Sequence, residues 1–338
     1  MKFSIIPYSG DSPMSPWPSL AGKAFCLIDN SRPEDTVFFF DSSPDLPYAG
    51  PPRSSAPPAL VFIHGLGDEA DSWRHLIPLL NARGFRTLAL DLPGFGRSAA
   101  AGRINIKKHA DAVIKLLETI GGASPSPGNA SSPPLQFLLA GNSMGTMIAE
   151  MVAIKKPELV QGLILIDGTI PGGPANPGFL VLAKLLFSRK WYRAYRDDPE
   201  RAQASLYPYY ADFEAMPWED REFLRRRVMA RVESSTQERA FFATQRSLIW
   251  NYLKASWFAR HIKEFKGKIL LIWGEKDRII PKSSANVFIN LRRDAEMNVI
   301  SGAGHLPQQE RPEETAEIIA GFVAGFVANI AAKFIDRN

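Results

Sequence analysis

Six short apolar runs set the limits on how this chain can fold. They are Ala59–Ile63, Thr87–Leu90, Phe137–Ala140, Leu163–Ile166, Ile269–Trp273 and Met297–Ile300, and longer stretches of helical character separate most of them. Short apolar runs that alternate with helices signal a mostly parallel sheet whose two faces are both covered. Ile106–Ile120 carries Ala110, Val113, Ile114 and Leu117 at helical spacing, and Ser143–Lys156 follows a strand directly. Ser284–Leu291 and Pro312–Lys333 follow the last two runs. Ala24–Asp29 and Thr36–Phe40 read as a hairpin at one edge. The expected fold class is therefore α/β, an eight-stranded, mostly parallel sheet flanked by helices.

Between Gly168 and Lys266 the alternation stops. Residues 171–265 are helical in flavour and hold half of the aromatic residues, and a strand follows at once. This is the pattern of a helical cap inserted into a core, with 1–170 and 266–338 as the core and 171–265 as the cap. Residues 1–20 and 42–58, rich in Pro, Ser and Gly, read as irregular arms, and Gly121–Pro134 as a surface loop.

The net charge of +5 is concentrated in the inserted segment, which holds 16 Lys/Arg against 11 Asp/Glu. No basic run with interleaved stacking aromatics points to nucleic acid, and Arg225-Arg226-Arg227 reads as the solvated side of a helix. A single cysteine excludes an intramolecular disulfide framework, and Cys26, in A-F-C-L-I, reads as a buried structural thiol. No ligand cluster implies a metal or an organic cofactor. The amino terminus lacks the apolar core of a secretory signal, so cytoplasmic residence is the expectation.

The chemistry concentrates at G-N-S-M-G, Gly141 to Gly145, between the run ending at Ala140 and the helix-forming M-I-A-E-M-V-A-I. A serine hydroxyl becomes a useful nucleophile when a sharp strand-to-helix turn exposes it to a base, and glycines on both sides permit that turn. Ser143 is the candidate nucleophile. Of five histidines, His305 lies in S-G-A-G-H-L-P, just after the last apolar run, and is the candidate base. Asp277, in W-G-E-K-D-R-I-I-P, follows the previous run and is the candidate acid; Asp167 competes for that role. Ser, then Asp, then His is the chain order such a site requires. Two backbone N–H groups should hold the oxyanion, one from Met144 and one from Leu66 in H-G-L-G. His64 reads as a brace for that loop.

These motifs resemble the α/β-hydrolase fold superfamily, in its capped branch of lipases, esterases and carbon–carbon bond hydrolases. The matching residues are H-G-L-G at 64–67 with Trp73, D-L-P-G-F-G-R-S at 91–98, G-N-S-M-G, W-G-E-K-D at 273–277 and G-A-G-H at 302–305. The resemblance implies that 91–98 is a structural turn. A serine at 143 departs from the dehalogenases and epoxide hydrolases of this fold, which use aspartate. Leu306 stands where the carbon–carbon hydrolases usually carry tryptophan, and Met144 where proline iminopeptidases do.

The expected activity is hydrolysis of an ester, thioester or lactone with an apolar or aromatic part. The alternatives are carbon–carbon cleavage of a vinylogous diketone or ligand binding without hydrolysis. The aromatic density of the cap points to an apolar pocket, with Trp191, Tyr195, Tyr210 and Trp250 as pocket candidates, and its positive charge to an acidic substrate. The last helix, I-I-A-G-F-V-A-G-F-V-A-N-I-A-A, is too short for a bilayer span. It fits a core helix, or a homodimer or membrane-surface contact through Gly321 and Gly325.

Overall fold

A computed structural model describes residues 3–8, 15–43, 58–121, 137–168 and 189–335; at 21–22, 191 and 327–335 it describes the backbone alone. Its centre is a nine-stranded sheet in the order β1-β2-β3-β5-β4-β6-β7-β8-β9. The strands are β1 (Phe3–Pro7), β2 (Ala24–Asp29), β3 (Arg32–Asp41), β4 (Ala59–Ile63), β5 (Thr87–Leu90), β6 (Phe137–Asn142), β7 (Val160–Ile166), β8 (Lys268–Gly274) and β9 (Glu296–Ile300). β1, β2, β3 and β5 pair antiparallel; every pairing from β5 through β4 to β9 is parallel.

β1 corrects the reading of residues 1–20 as irregular and of the sheet as eight-stranded. It is an edge strand on β2, with Ile5 and Ile6 exposed, so no buried alternation marks it in the sequence. Its terminal proline is tolerated because an edge strand need not donate on its outer side. Residues 44–57 and 122–136, read as an arm and a surface loop, lie outside the described residues.

The parallel strands are apolar on both faces because each face has its own core. Val61, Ile63, Leu163, Leu165, Ile269 and Leu271 pack on one side, and Leu60, Phe62, Ile164, Ile166, Leu270 and Ile272 on the other. Burying each such side chain contributes roughly 1.5–3 kcal/mol. The first layer lies against α2 (Ile106–Ile120) and α3 (Met144–Lys155), and the second against α1 (Leu76–Ala82) and α11 (Pro312–Ile335). In α11, Ala316, Ile319, Phe322, Val323 and Phe326 form the inward stripe of a core helix, while a side chain at Gly321 would meet open space. No helix among the described residues is long and apolar enough to cross a membrane.

After Gly168 the chain leaves the sheet and returns at Lys268. Between them lie α4 (Arg189–Ala194), α5 (Pro199–Ala204), α6 (Trp218–Glu233), α7 (Ser235–Tyr252) and α8 (Ala255–Glu264); residues 169–188 lie outside the described set. α9 (Ser283–Leu291) and α10 (Pro307–Glu310) follow β8 and β9. Buried ion pairs join α6 to the core: Asp220 accepts from Arg74 at 2.6 Å, and Arg227 pairs with Glu69 at 2.8 Å. Arg227 thus departs from the solvated reading of its triplet, while Arg226 fits it. Cys26 is half-buried, and burial pushes its thiol up to about 11, which suits a structural residue and not a thiolate.

Glu150 of α3 is fully buried, and neither side-chain oxygen has a hydrogen-bond partner among the described residues. Burial pushes its carboxyl well above the usual range, so the folded chain keeps the proton where the unfolded chain loses it. Stability must then fall as pH rises above the ordinary carboxylate pKa. Glu150→Gln carries no such proton, so its stability relative to wild type should improve between about pH 5 and pH 8 in urea titrations. A gap that does not change with pH would contradict this.

Candidate active site

The carboxyl ends of β4, β6, β7 and β8 bring the chemically capable residues together. This is where open α/β sheets place their ligands. Ser143 follows β6 directly with φ 54° and ψ −120° and starts α3 as its cap residue. Among the described residues it shares a positive φ with one other non-glycine residue, Asp167. Its N–H bonds the Ile166 carbonyl at 2.9 Å, which fixes the strained turn to the neighbouring strand. A side chain at Gly145 would collide with the Ile63 carbonyl, so the second glycine of G-N-S-M-G is required by close backbone approach.

His305 is 2% exposed, and its Nδ1 lies 2.8 Å from Asp277 Oδ2. The N–H groups of Ile279 and Ile280 hold the other Asp277 oxygen at 2.7 and 3.0 Å. Burial alone would raise the Asp277 carboxyl; the hydrogen bond and charge of His305 outweigh it and hold the group below the usual carboxylate range. An imidazole whose Nδ1 proton is committed to a carboxylate presents Nε2 as the basic nitrogen. Here Nε2 is buried and has no hydrogen-bond partner among the described residues.

Ser143 and His305 line one cavity, together with Leu66 and the aromatic side chains Tyr192, Tyr195, Tyr209, Tyr210 and Phe241 from the segment between β7 and β8. Neither the Leu66 nor the Met144 N–H donates to another group among the described residues. His64 braces this loop, as expected: Nδ1 bonds the Gly65 carbonyl at 2.7 Å, and Nε2 accepts from the Leu92 N–H at 2.9 Å. Burial pushes its pKa down and keeps it neutral. Asp91 ties the same region together by accepting from the Ala70 and Arg97 N–H groups, both at 2.7 Å, so residues 91–98 form a structural turn.

Of the pocket candidates, Tyr195 and Tyr210 line the cavity. Trp250 does not. It lies nine residues beyond Phe241 on α7, about two and a half turns along, which carries it to the opposite face, where it is 67% exposed. The side chain of Trp191 lies outside the described residues. Asp167 sits beside Asp277 and makes no contact with His305 of hydrogen-bond length.

The model of the alpha/beta hydrolase family matches residues 60–318. The chain belongs to that family. An uncharacterized hydrolase of Bacillus subtilis (strain 168) is 27% identical over 81% of this chain and 91% of its own length. The 2-hydroxy-6-oxo-6-phenylhexa-2,4-dienoate hydrolase of Comamonas testosteroni is 28% identical over 76% of this chain and 84% of its own. In fold, the chain is similar to a thermophilic esterase from Thermogutta terrifontis, with a TM-score of 0.65 at 20% identity over 88% and 96% of the two chains. The family and these relatives support hydrolase activity.

Two residues to which the sequence reading assigned no role hold the histidine loop. Asn142 donates through Nδ2 to the carbonyls of Ile166 and His305, at 3.2 and 3.1 Å. Glu310 accepts from the Gly304 N–H at 2.8 Å and the Ala211 N–H at 2.7 Å, and the His305 N–H reaches the Tyr209 carbonyl at 2.8 Å. Glu310→Ala leaves two part-buried N–H groups without an acceptor. It should cost about 2–4 kcal/mol in urea unfolding and lower hydrolytic turnover of the folded enzyme. Unchanged stability would remove Glu310 from this role.

Proposed function

We propose that this protein is a serine hydrolase that cleaves an ester, thioester or lactone through an acyl-enzyme on Ser143. The observation that carries the reading is the pairing of His305 Nδ1 with Asp277 in a cavity that Ser143 also lines, with His305 Nε2 uncommitted. In this scheme Nε2 takes the Ser143 proton as Oγ bonds to the substrate carbonyl carbon, and the N–H groups of Leu66 and Met144 hold the oxyanion. The leaving group departs with the proton from His305. Water then gives a proton to His305 and attacks the acyl carbon; the bond to Oγ breaks as His305 passes that proton to Oγ, which returns Ser143 to its starting state. Asp277 stays ionised and fixes the imidazole tautomer. Residues 171–265 act as the cap over a core of 1–170 and 266–338, and they supply the apolar wall that favours an acyl chain or ring.

A second observation narrows the substrate. Three arginines line the cavity: Arg74 is paired with Asp220 and Arg227 with Glu69, but no carboxylate pairs with Arg231 among the described residues. Arg231 stands beside Gly67 in the loop that carries Leu66, and none of the cavity's carboxylates (Asp68, Glu69, Asp71) pairs with it, so it is the cation open to an anionic group on the substrate. The hydrolase of Comamonas testosteroni, whose name specifies a phenyl-bearing dienoate, supports carbon–carbon bond cleavage as the alternative reading. The same residues could carry it.

The deciding experiment labels wild type and Ser143→Ala with a fluorophosphonate probe, beside turnover of nitrophenyl esters of increasing chain length. The expected result is a label on Ser143 and a fall in ester turnover of about 10³-fold or more in the variant. Esters cleaved equally well by both proteins would overturn the reading. For Arg231, the ratio of kcat/KM on a nitrophenyl hemisuccinate to that on the matched neutral ester should fall about tenfold in Arg231→Gln, and should fall with salt in wild type. A ratio that survives both would remove the anionic preference.

A further inference from the structure

Asp167 is the first residue beyond β7, 0% exposed, at φ 43°. Its N–H continues the ladder to the Ile272 carbonyl at 2.9 Å, and its Oδ1 accepts from the Gly274 N–H at 2.9 Å. Its Oδ2 receives no donor from the described residues. One oxygen or nitrogen from each of Asp167, Asp277 and His305 falls within 4.8 Å of the others. Two carboxylates at such a distance, away from water, cannot both remain ionised, and one proton between them resolves the conflict.

The donors decide which group keeps the proton. Asp277 receives three: the His305 ring and the N–H groups of Ile279 and Ile280. Asp167 receives one, the Gly274 N–H, and its orphaned Oδ2 is the atom left for the hydrogen. We propose that Asp167 is held as a neutral carboxylic acid whose O–H donates to Asp277, and that it is a positioning residue for the acid that orients His305. This rests on the serine-hydrolase reading for its catalytic meaning, but the proton itself does not. Burial, then the charge of Asp277, push Asp167 well above the usual carboxylate range, and Glu310 adds negative charge in the same sense.

The consequence is a four-member chain, Ser143, His305, Asp277 and Asp167, in which only Asp277 carries permanent charge. The Asp167 O–H takes up part of that charge and so moderates the pull of Asp277 on the imidazole proton. Removing the donor leaves the full charge on Asp277 and strengthens its hold on the imidazole N–H. The acidic limb of the kcat/KM profile should therefore move upward.

The test compares the full-length wild type with Asp167→Asn and Asp167→Ala. Asparagine keeps an N–H donor and a carbonyl acceptor in the same space; alanine keeps neither. Infrared difference spectra at neutral pH, wild type minus Asp167→Asn, should contain the carbonyl band of a protonated carboxylic acid. In Asp167→Ala, kcat should fall about tenfold or more with the acidic limb displaced upward, and Asp167→Asn should restore both. A loss of stability alone would leave the limb in place and overturn the assignment. So would an Asp167→Asn variant as inactive as Asp277→Asn, which would mean that the negative charge sits on Asp167. The band needs no turnover, so its absence overturns the neutral acid whether or not Ser143→Ala still cleaves esters.

Discussion

The site depends on backbone meeting backbone where β8 ends. The carbonyl of Gly304 sits against Gly274 so closely that a side chain on Gly274 would collide with it. That contact lets the loop after β9 lie flat across the end of β8, which brings His305 over Asp277 and into the cavity that Ser143 lines. The strained φ of Ser143 is tolerated because its N–H and the Asn142 side chain both anchor to the end of β7. Sheet, elbow and histidine loop therefore form one cooperative unit.

Around this unit the chain buries several charged side chains, and the arginines among them are paired with carboxylates. Arg97 lies stacked over Phe38 at 3.8 Å and pairs with Asp91 and Asp71, while Arg74 and Arg227 reach across to Asp220 and Glu69. Buried pairs of this kind add little net stability over apolar replacements, but breaking one partner is expensive. Their value here is registration: they fix how α6 sits on the loop that carries Leu66. Burial pushes the Glu69 carboxyl upward against the pull of its arginine partner, so desolvation offsets part of what this pair contributes.

Much of this architecture was legible in the sequence because it is local. Short apolar runs mark strands covered on both faces, and G-N-S-M-G, W-G-E-K-D and G-A-G-H each stand directly after such a run. What escaped has a common physical cause. Asn142 reaches Ile166 and His305, Glu310 reaches Ala211 and Arg227 reaches Glu69, partners 24 to 163 residues away, and no short-range pattern records such contacts. β1 escaped because its apolar residues face solvent at an edge. Trp250 was misassigned because aromatic density says that a helix is rich in rings without saying which face it turns to the cavity. Asp167 drew notice as a rival acid, and only the donor count around the two carboxyl groups separates its role from that of Asp277.

The hydrogen bond from the His305 N–H to the Tyr209 carbonyl ties the histidine loop to the inserted segment that lines the same cavity. Any displacement of residues 209–211 would be felt at His305, because the same stretch also holds Glu310 through the Ala211 N–H.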